Sequence, residues 1–420
     1  MAHKRGLGTH ELSLSRHDSI TMMNPVYIVG AARTPTARIN TQLDSVPGTT
    51  LGAIAIREAL RRSQVPLDLF SDVYMGQVLQ AGAGQAPAKQ AAMQAGLAPD
   101  IEATTINKVC ASGLKAITLA AQNIQLGHAV AQVAGGMESM SNVPGYLKKR
   151  DDSNSTENRV IDGLQLDGLI NSVDGRSMGA CAEGVAQQMG ITREDQDDYA
   201  LAAYYRASQA QQSNIFQEEI TPVSVDAGAA EIFDTDSLPH ESLFNRLRSL
   251  KPVFSPDGTV TAGNACPLSD GASAAVLVDA QAARQFCRGN RVLAKIIAYA
   301  DASVAPDEFA LAPTKAIQLV LERAQMCVEQ ISLWEINEAF AIVVITSQQL
   351  LGLDPDIVNV NGGAIAFGHP LGSSGCRILV SLLHQLAHGQ YGVAVVCNGG
   401  GGATAVLIQR VEGKDLDAPT

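Results

Sequence analysis

Residues 112–136, SGLKAITLAAQNIQLGHAVAQVAGG, begin with Ser112 and Gly113 and set Leu114, Ile117, Ala121 and Ile124 on one helical face. They end in the apolar run Ala131–Ala134, followed by Gly135 and Gly136. Residues 374–402, SGCRILVSLLHQLAHGQYGVAVVCNGGGG, repeat the order: Ser374 and Gly375, then Ile378, Leu379, Leu382, Leu383 and Leu386 at helical spacing, then the strand Gly392–Cys397 and the glycines 399–402. Recurrence at i, i+3 and i+4 argues helix, and a short apolar run bounded by glycine argues strand. Two copies of one helix–strand unit indicate a duplicated fold.

Further out, the strand Val73–Gly76 is echoed by Leu333–Asn337. The first strand, Val26–Val29, is expected to give way to a loop over Gly30–Pro35. A helix over Leu51–Arg62 follows, with Ile54, Ala55 and Leu60 on its apolar side, then a strand over Asp72–Val78 and a Gly-, Ala- and Gln-rich turn at Gly82–Gln85. Alternating strands and helices predict an α/β protein with parallel or mixed sheets covered by helices. Residues 141–251 are richer in Asp, Asn, Gln and Ser, and are expected to be a mostly helical insertion placed over a substrate.

At 420 residues the chain exceeds one ordinary domain. Hydrophobic residues make up 46% and aromatics 4%, so the core must be built from Ala, Val, Ile and Leu on closely packed elements. The net charge of −12 argues against nucleic acid as a partner, because phosphate backbones need clustered Lys and Arg. Seven scattered cysteines without C-x-x-C pairs fit free thiols in a reducing compartment. No run of about 18 apolar residues is present, so no membrane span is expected. Met1–Met23 sets Lys4, Arg5 and Arg16 against Glu11 and Asp18 and lacks the apolar core of a secretory signal. It fits a disordered leader of a cytoplasmic protein, with a mitochondrial transit peptide, and hence the matrix, as the alternative.

Four segments can carry chemistry. Cys110 stands in Asn107–Gly113 (NKVCASG), where a strand pattern yields to a helix. The positive end of a helix dipole lowers a thiol's pKa and favours the thiolate nucleophile, although a small buried core thiol fits the same segment. His369 lies in Gly362–Gly372 (GGAIAFGHPLG), too Gly-rich for a regular element, just ahead of the second echoing helix. By the duplication it is expected on the edge equivalent to that of Cys110, where the two can face each other, and a His near a Cys is the usual base for thiolate formation; taken alone, it fits a structural or surface residue better. Cys397 ends a strand and is followed by Asn398 and glycines, whose N–H groups can hold an oxyanion or, on another reading, a phosphate. Asn337, in Asn337–Phe340 (NEAF), either orients a water or carbonyl or caps the following helix.

Together these four segments resemble the thiolase family over Val26–Arg410. Asn107–Gly113 is similar to its nucleophile motif, Asn337–Phe340 to N-E-A-F, Gly362–Gly375 to G-G-x-x-x-x-G-H-P, and Cys397–Gly401 to C-x-G-G-G. The resemblance implies a duplicated five-layer α/β/α/β/α fold: a leader over 1–23, an N-terminal half over 24–140 plus 252–284, a loop domain over 141–251 and a C-terminal half over 285–412. It implies an enzyme in which Cys110 becomes acylated, His369 takes its proton, and Cys397 removes a proton from acetyl-CoA or returns it in the thiolytic direction. Asn337 would fix a water on the enolate oxygen, and the N–H groups of Cys110 and Gly399 would hold the acyl oxygen.

The same resemblance carries CoA contacts to Met178, Phe254, Ala262, Cys266, Leu268, Ala339 and Phe340, with Arg246, Arg248 and Lys251 for the phosphates. The wording is most similar to short-chain, mitochondrial-type members, which cleave or form acetoacetyl-CoA; longer 3-oxoacyl chains and a silent acyl-CoA-binding relative are the rival readings. Some short-chain members are potassium-activated, and Tyr204, Ala262, Gly263, Ala265 and Ile365 match their ion-binding positions. No cofactor is otherwise implied, CoA thioesters being substrates, and a homodimer or dimer of dimers is expected. Two departures concern the acyl and pantetheine pockets: Ser177-Met178-Gly179 stands where His-Met-Gly is usual, and Cys266 where a Ser is usual. A ketoacyl synthase, the sister fold, would need a second His at Asn337 and has no place for Cys397.

Overall fold

The structure, a computed structural model, describes residues 23–147, 160–226, 230–239, 242–287 and 292–417. Most of the expected leader therefore lies outside the described residues. The first half contributes β1 (Val26–Arg33), β2 (Ala37–Arg38), α1 (Gly48–Ser63), β3 (Phe70–Gly76), α2 (Pro87–Gln94), β4 (Glu102–Ile106), α3 (Ser112–Gln125) and β5 (Ala131–Ser139). Two small hairpins, β6 (Gly145–Leu147) with β7 (Val160–Asp162) and β8 (Val223–Asp226) with β9 (Ala230–Phe233), flank α4 (Met178–Met189) and α5 (Arg193–Gln212), and α6 (Ser242–Arg246) follows. Then come β10 (Ser269–Asp279), α7 (Ala280–Phe286), β11 (Ala294–Ser303), α8 (Ala312–Ala324), β12 (Leu333–Ile336), α9 (Ala341–Leu351), α10 (Ala364–Phe367), α11 (Leu371–Gln385), β13 (Tyr391–Asn398) and β14 (Gly402–Arg410).

Strand pairing shows the duplication directly. In the first half β3 runs parallel to β5, β5 antiparallel to β10 and β10 antiparallel to β1. In the second, β12 runs parallel to β13, β13 antiparallel to β14 and β14 antiparallel to β11. The extra edge strand β4 pairs with β3, and its counterpart is reduced to a single bridge between Trp334 and Val358. The two half-sheets are joined where Val26–Ile28 of β1 pairs antiparallel with Ala294–Ile296 of β11, so their ten strands are hydrogen-bonded into one continuous sheet.

Helices α3 and α11 lie between the half-sheets, and one buried cluster joins Leu114, Ile117 and Ala121 of α3 to Ile378, Leu379 and Leu382 of α11 and to the inner faces of β1, β13 and β14. A helix enclosed on both sides is buried all round, and every residue from Leu371 to Leu383 is buried, the polar Ser373, Ser374, Arg377 and Ser381 each with a polar partner. Outside, α1 and α2 cover the first half-sheet, while α8, α9, α4 and α5 share a cluster on the second. The result is five layers.

Two expectations about glycine need correction. Gly30 does not end the first strand; β1 continues to Arg33 through an irregularity between Ile28 and Gly30. Gly30 is there because α1 packs so close that a Cβ would lie 2.3 Å from Ala59 O. Gly135 and Gly136 likewise sit inside β5, not after it. A Cβ on Gly136 would stand 1.9 Å from Gly372 O, and the same oxygen is 2.8 Å and 2.7 Å from the Cβ positions of Gly76 and Gly113. Close backbone approach, not a turn, explains these residues. The Gly136→Ala change should therefore force the halves apart and cost about 3 kcal/mol, the upper end of overpacking; a urea midpoint equal to wild type would contradict this packing.

Candidate active site

The turn that carries Cys110 joins β4 to α3. Val109, a β-branched residue, has φ 48°, a left-handed conformation that costs energy and persists only where its surroundings enforce it. They do: Val109 N donates to Asn107 Oδ1 at 2.9 Å, Ser112 Oγ accepts from Lys108 N at 2.8 Å, and that hydroxyl donates to Val109 O at 2.6 Å. Cys110 is thereby set just before the first turn of α3, and its sulfur meets the backbone N–H groups of Gly399 and of Cys110 itself.

The expected depression of its pKa does not occur. Burial pushes the Cys110 thiol up to about 11, aided by the charge of Glu138 and only partly opposed by the two N–H groups. Desolvation outweighs the dipole of the helix. Cys110 is a thiol at neutral pH and needs a base.

His369 follows α10, a one-turn helix that the glycines of this segment do not prevent. Its Nδ1 lies 2.6 Å from Ser374 Oγ, whose hydroxyl donates to Pro370 O at 3.0 Å. The serine's one hydrogen being used, Nδ1 carries the ring proton and Nε2 is left as the free base. Nε2 faces Asn337 Nδ2 at 3.5 Å. Burial, then the nearby Arg377 cation, pulls the imidazole down to about 3, so it is neutral and Nε2 is unprotonated in the free protein.

Asn337 does not cap the next helix, which begins at Ala341. The residue is fully buried, and its Oδ1 has no hydrogen-bond partner. Such an orphaned acceptor needs a donor, and a water or ligand group is what the location allows. Cys397, 1% exposed, is the penultimate residue of β13. Burial, then the charges of Cys110 and Cys266, pushes its thiol well above the ordinary range. Beyond it Gly400 and Gly401, at φ 85° and 81°, turn the chain into β14, and Cys397 pairs in register with Ala403.

The pocket residues inferred from sequence fall into three groups. Met178 lines a cleft of about 670 Å³ together with Asn107, Val109, Gly399 and Gly400. Phe254 packs edge-on to Phe340 with centroids 6.3 Å apart, Ala265 bridges to Phe340, and Cys266 N donates to Ala339 O at 3.2 Å. Leu268 packs in the apolar cluster that holds Val109 and Cys110. Ala262 is exposed, as are Arg246 and Lys251, which make no ion pair among the described residues, whereas Arg248 is held by Asp198 and Glu194 on α5. Ser177 caps α4, accepting from Ala180 N at 3.2 Å.

At the positions matched to potassium ligands, Tyr204 Oη donates to Gly263 O at 2.9 Å, and Ile365 N donates to Glu338. The phenol and carbonyl oxygens are hard donors of the kind such an ion takes. Among the described residues no cluster of three or more His, Cys, Asp or Glu could hold a metal ion.

Sequence reasoning missed two supports of this site. Ser374, read only as the start of a helix, fixes the His369 tautomer; its position five residues on, in the first turn of α11, was the available signal. Glu138, fully buried on β5, accepts from the N–H groups of Val78, Leu79 and Gly372 at 3.0, 3.2 and 2.9 Å, joining the two halves behind Cys110. Burial lifts its carboxyl to about 7 against those donors. Nothing in the local sequence marks it.

The thiolase N-terminal domain model matches residues 26–281 and the thiolase C-terminal domain model residues 290–410. The chain belongs to the thiolase family. This thiolase is 52% identical over 394 residues to the mitochondrial acetyl-CoA acetyltransferase of Gibberella zeae, an alignment covering 93% of this chain and 92% of the relative. It is 46% identical to the mitochondrial acetyl-CoA acetyltransferase of Bos taurus, over 93% of this chain and 92% of that one. A crystal structure of a thiolase from Ascaris suum in complex with coenzyme A superimposes with a TM-score of 0.87 at 38% identity, covering 92% of this thiolase and all of its counterpart.

Proposed function

We propose that the chain is an acetyl-CoA C-acetyltransferase, condensing two acetyl-CoA into acetoacetyl-CoA and CoA or running the same steps in reverse as thiolysis. The observation that carries the reading is the Cys110 sulfur lying against the N–H groups of both Cys110 and Gly399 and close enough to Cys397 to raise that thiol's pKa. The names of the two acetyltransferase relatives and the CoA held by the Ascaris thiolase support acyl-CoA as substrate.

In this mechanism Cys110 attacks the thioester carbon while its proton passes to His369, and the two N–H groups receive the developing oxyanion. CoA leaves as a thiol, taking the proton of Cys397, and the acetyl group stays on Cys110. The Cys397 thiolate then removes a methyl proton from a second acetyl-CoA. His369 and a water on Asn337 hold the enolate oxygen while its carbon attacks the acyl-enzyme. Collapse expels Cys110, which recovers its proton from His369. Losing either backbone donor would raise the barrier by about 3–4 kcal/mol.

The test is product formation from acetyl-CoA alone, with turnover of acetoacetyl-CoA compared against a longer 3-oxoacyl-CoA; preference for the longer chain would overturn the short-chain assignment. A pH prediction accompanies it. Because burial holds His369 near 3, its imidazole stays neutral as pH falls through 6.5, so the base is retained. Acetyl transfer onto Cys110 should show no acid limb centred near 6.5, and such a limb in single-turnover rates would contradict a neutral His369. We place the protein in the mitochondrial matrix rather than the cytoplasm, on the labels of both relatives. A dimer or dimer of dimers is supported by the edge strand β4, whose outer side is unpaired among the described residues.

A further inference from the structure

The two N–H groups against the Cys110 sulfur come from opposite halves of the chain, one in the turn before α3 and one in the turn after β13. Their separation is set by whatever ties those turns together. The bonds of Asn107 and Ser112 stay within the first half. Lys108 crosses: its Nζ lies 2.5 Å from Asp301 Oδ1 on β11, and 2.7 Å and 3.2 Å from Thr404 Oγ1 and Ala403 O on β14. Thr404 Oγ1 donates to the same Asp301 oxygen at 2.7 Å, and Lys115 of α3 reaches Asp301 Oδ2 at 2.6 Å. Ala403 is the register partner of Cys397, so the ammonium is anchored directly across the hairpin from that sulfur.

We propose that Lys108, held by Asp301 and Thr404, is a positioning residue that sets the spacing of the two oxyanion donors and thereby the rate of acyl transfer onto Cys110. The proposal rests on the acyltransferase reading above. Lys108 adjoins the strained Val109, and a residue in that conformation persists only where its neighbours over-determine it. Oxyanion donors act at about 2.7–3.1 Å from the oxygen, and a misplacement of 1 Å can cost about 100-fold in rate. An ammonium with three acceptors in the opposite half removes that freedom.

The test compares two reactions of the same sulfur in Lys108→Met and Asp301→Asn. Acetylation of Cys110 by acetyl-CoA passes through an oxyanion, and alkylation by iodoacetamide does not. Acetylation should slow by about 100-fold while alkylation, which feels the N–H groups only through the thiolate population, slows far less, and the double variant should be no slower than the worse single one, as expected for partners in one clamp. Unchanged acetylation, equal slowing of both reactions, or losses that multiply in the double variant would each overturn the proposal. Should Lys108→Met fail to fold, Asp301→Asn and Thr404→Val carry the same rate ratio. If wild type takes no acetyl group, the acyltransferase reading falls; if wild type is acetylated and the variants match it, only the clamp falls.

Discussion

The Cys110→Ala protein should fold, take no acetyl group from acetyl-CoA, and lose turnover by about a million-fold, the scale seen when a nucleophile is removed and only oxyanion donors remain. Alanine offers no atom to acylate, so neither half-reaction has another route. The two N–H groups of Cys110 and Gly399 would remain in place without a sulfur between them. Stability should change little, because Cys110 keeps part of its surface open and the turn is held by Asn107 and Ser112 instead. Mass spectrometry of the intact chain after incubation with acetyl-CoA checks the first claim, and steady-state rates check the second. Substantial residual turnover would remove Cys110 from the mechanism.

The duplicated fold was legible because it is written twice. The unit of α3 and β5 recurs as α11 and β13, and each copy places a chemical group at the start of its helix, Cys110 in one and His369 in the other. Less legible was anything set by contact between the halves. Gly136 looked like the end of a strand, because the Gly372 carbonyl that excludes a side chain there comes from 236 residues downstream in sequence (372 − 136). The thiol pKa was misjudged for the same reason: a helix dipole can be inferred from local sequence, but burial under a second sheet cannot. Glu138 and the Asp301 clamp belong to this class of long-range feature. Ser374 does not, since its partner His369 is only five residues away.

The Cys397→Ala change should separate the two halves of the reaction. Cys110 should still be acetylated to one group per chain, because CoA is a fair leaving group without acid assistance, although the step slows by about 100-fold or more without the proton that Cys397 gives the departing CoA. Condensation should then stop, since no described side chain near the methyl carbon replaces the lost thiolate: His369 is committed to the oxygen, and Cys266 is itself held protonated by burial. The high pKa of Cys397 suits this role, since a sulfur that binds its proton firmly is a strong base once that proton has gone to CoA. An acetyl-enzyme that accumulates in Cys397→Ala and does not go on to acetoacetyl-CoA is the expected state, visible as a stable mass increment. If condensation continued at the wild-type rate, the proton from the second substrate would have to leave by another group, and the division of labour between the two sulfurs would be wrong.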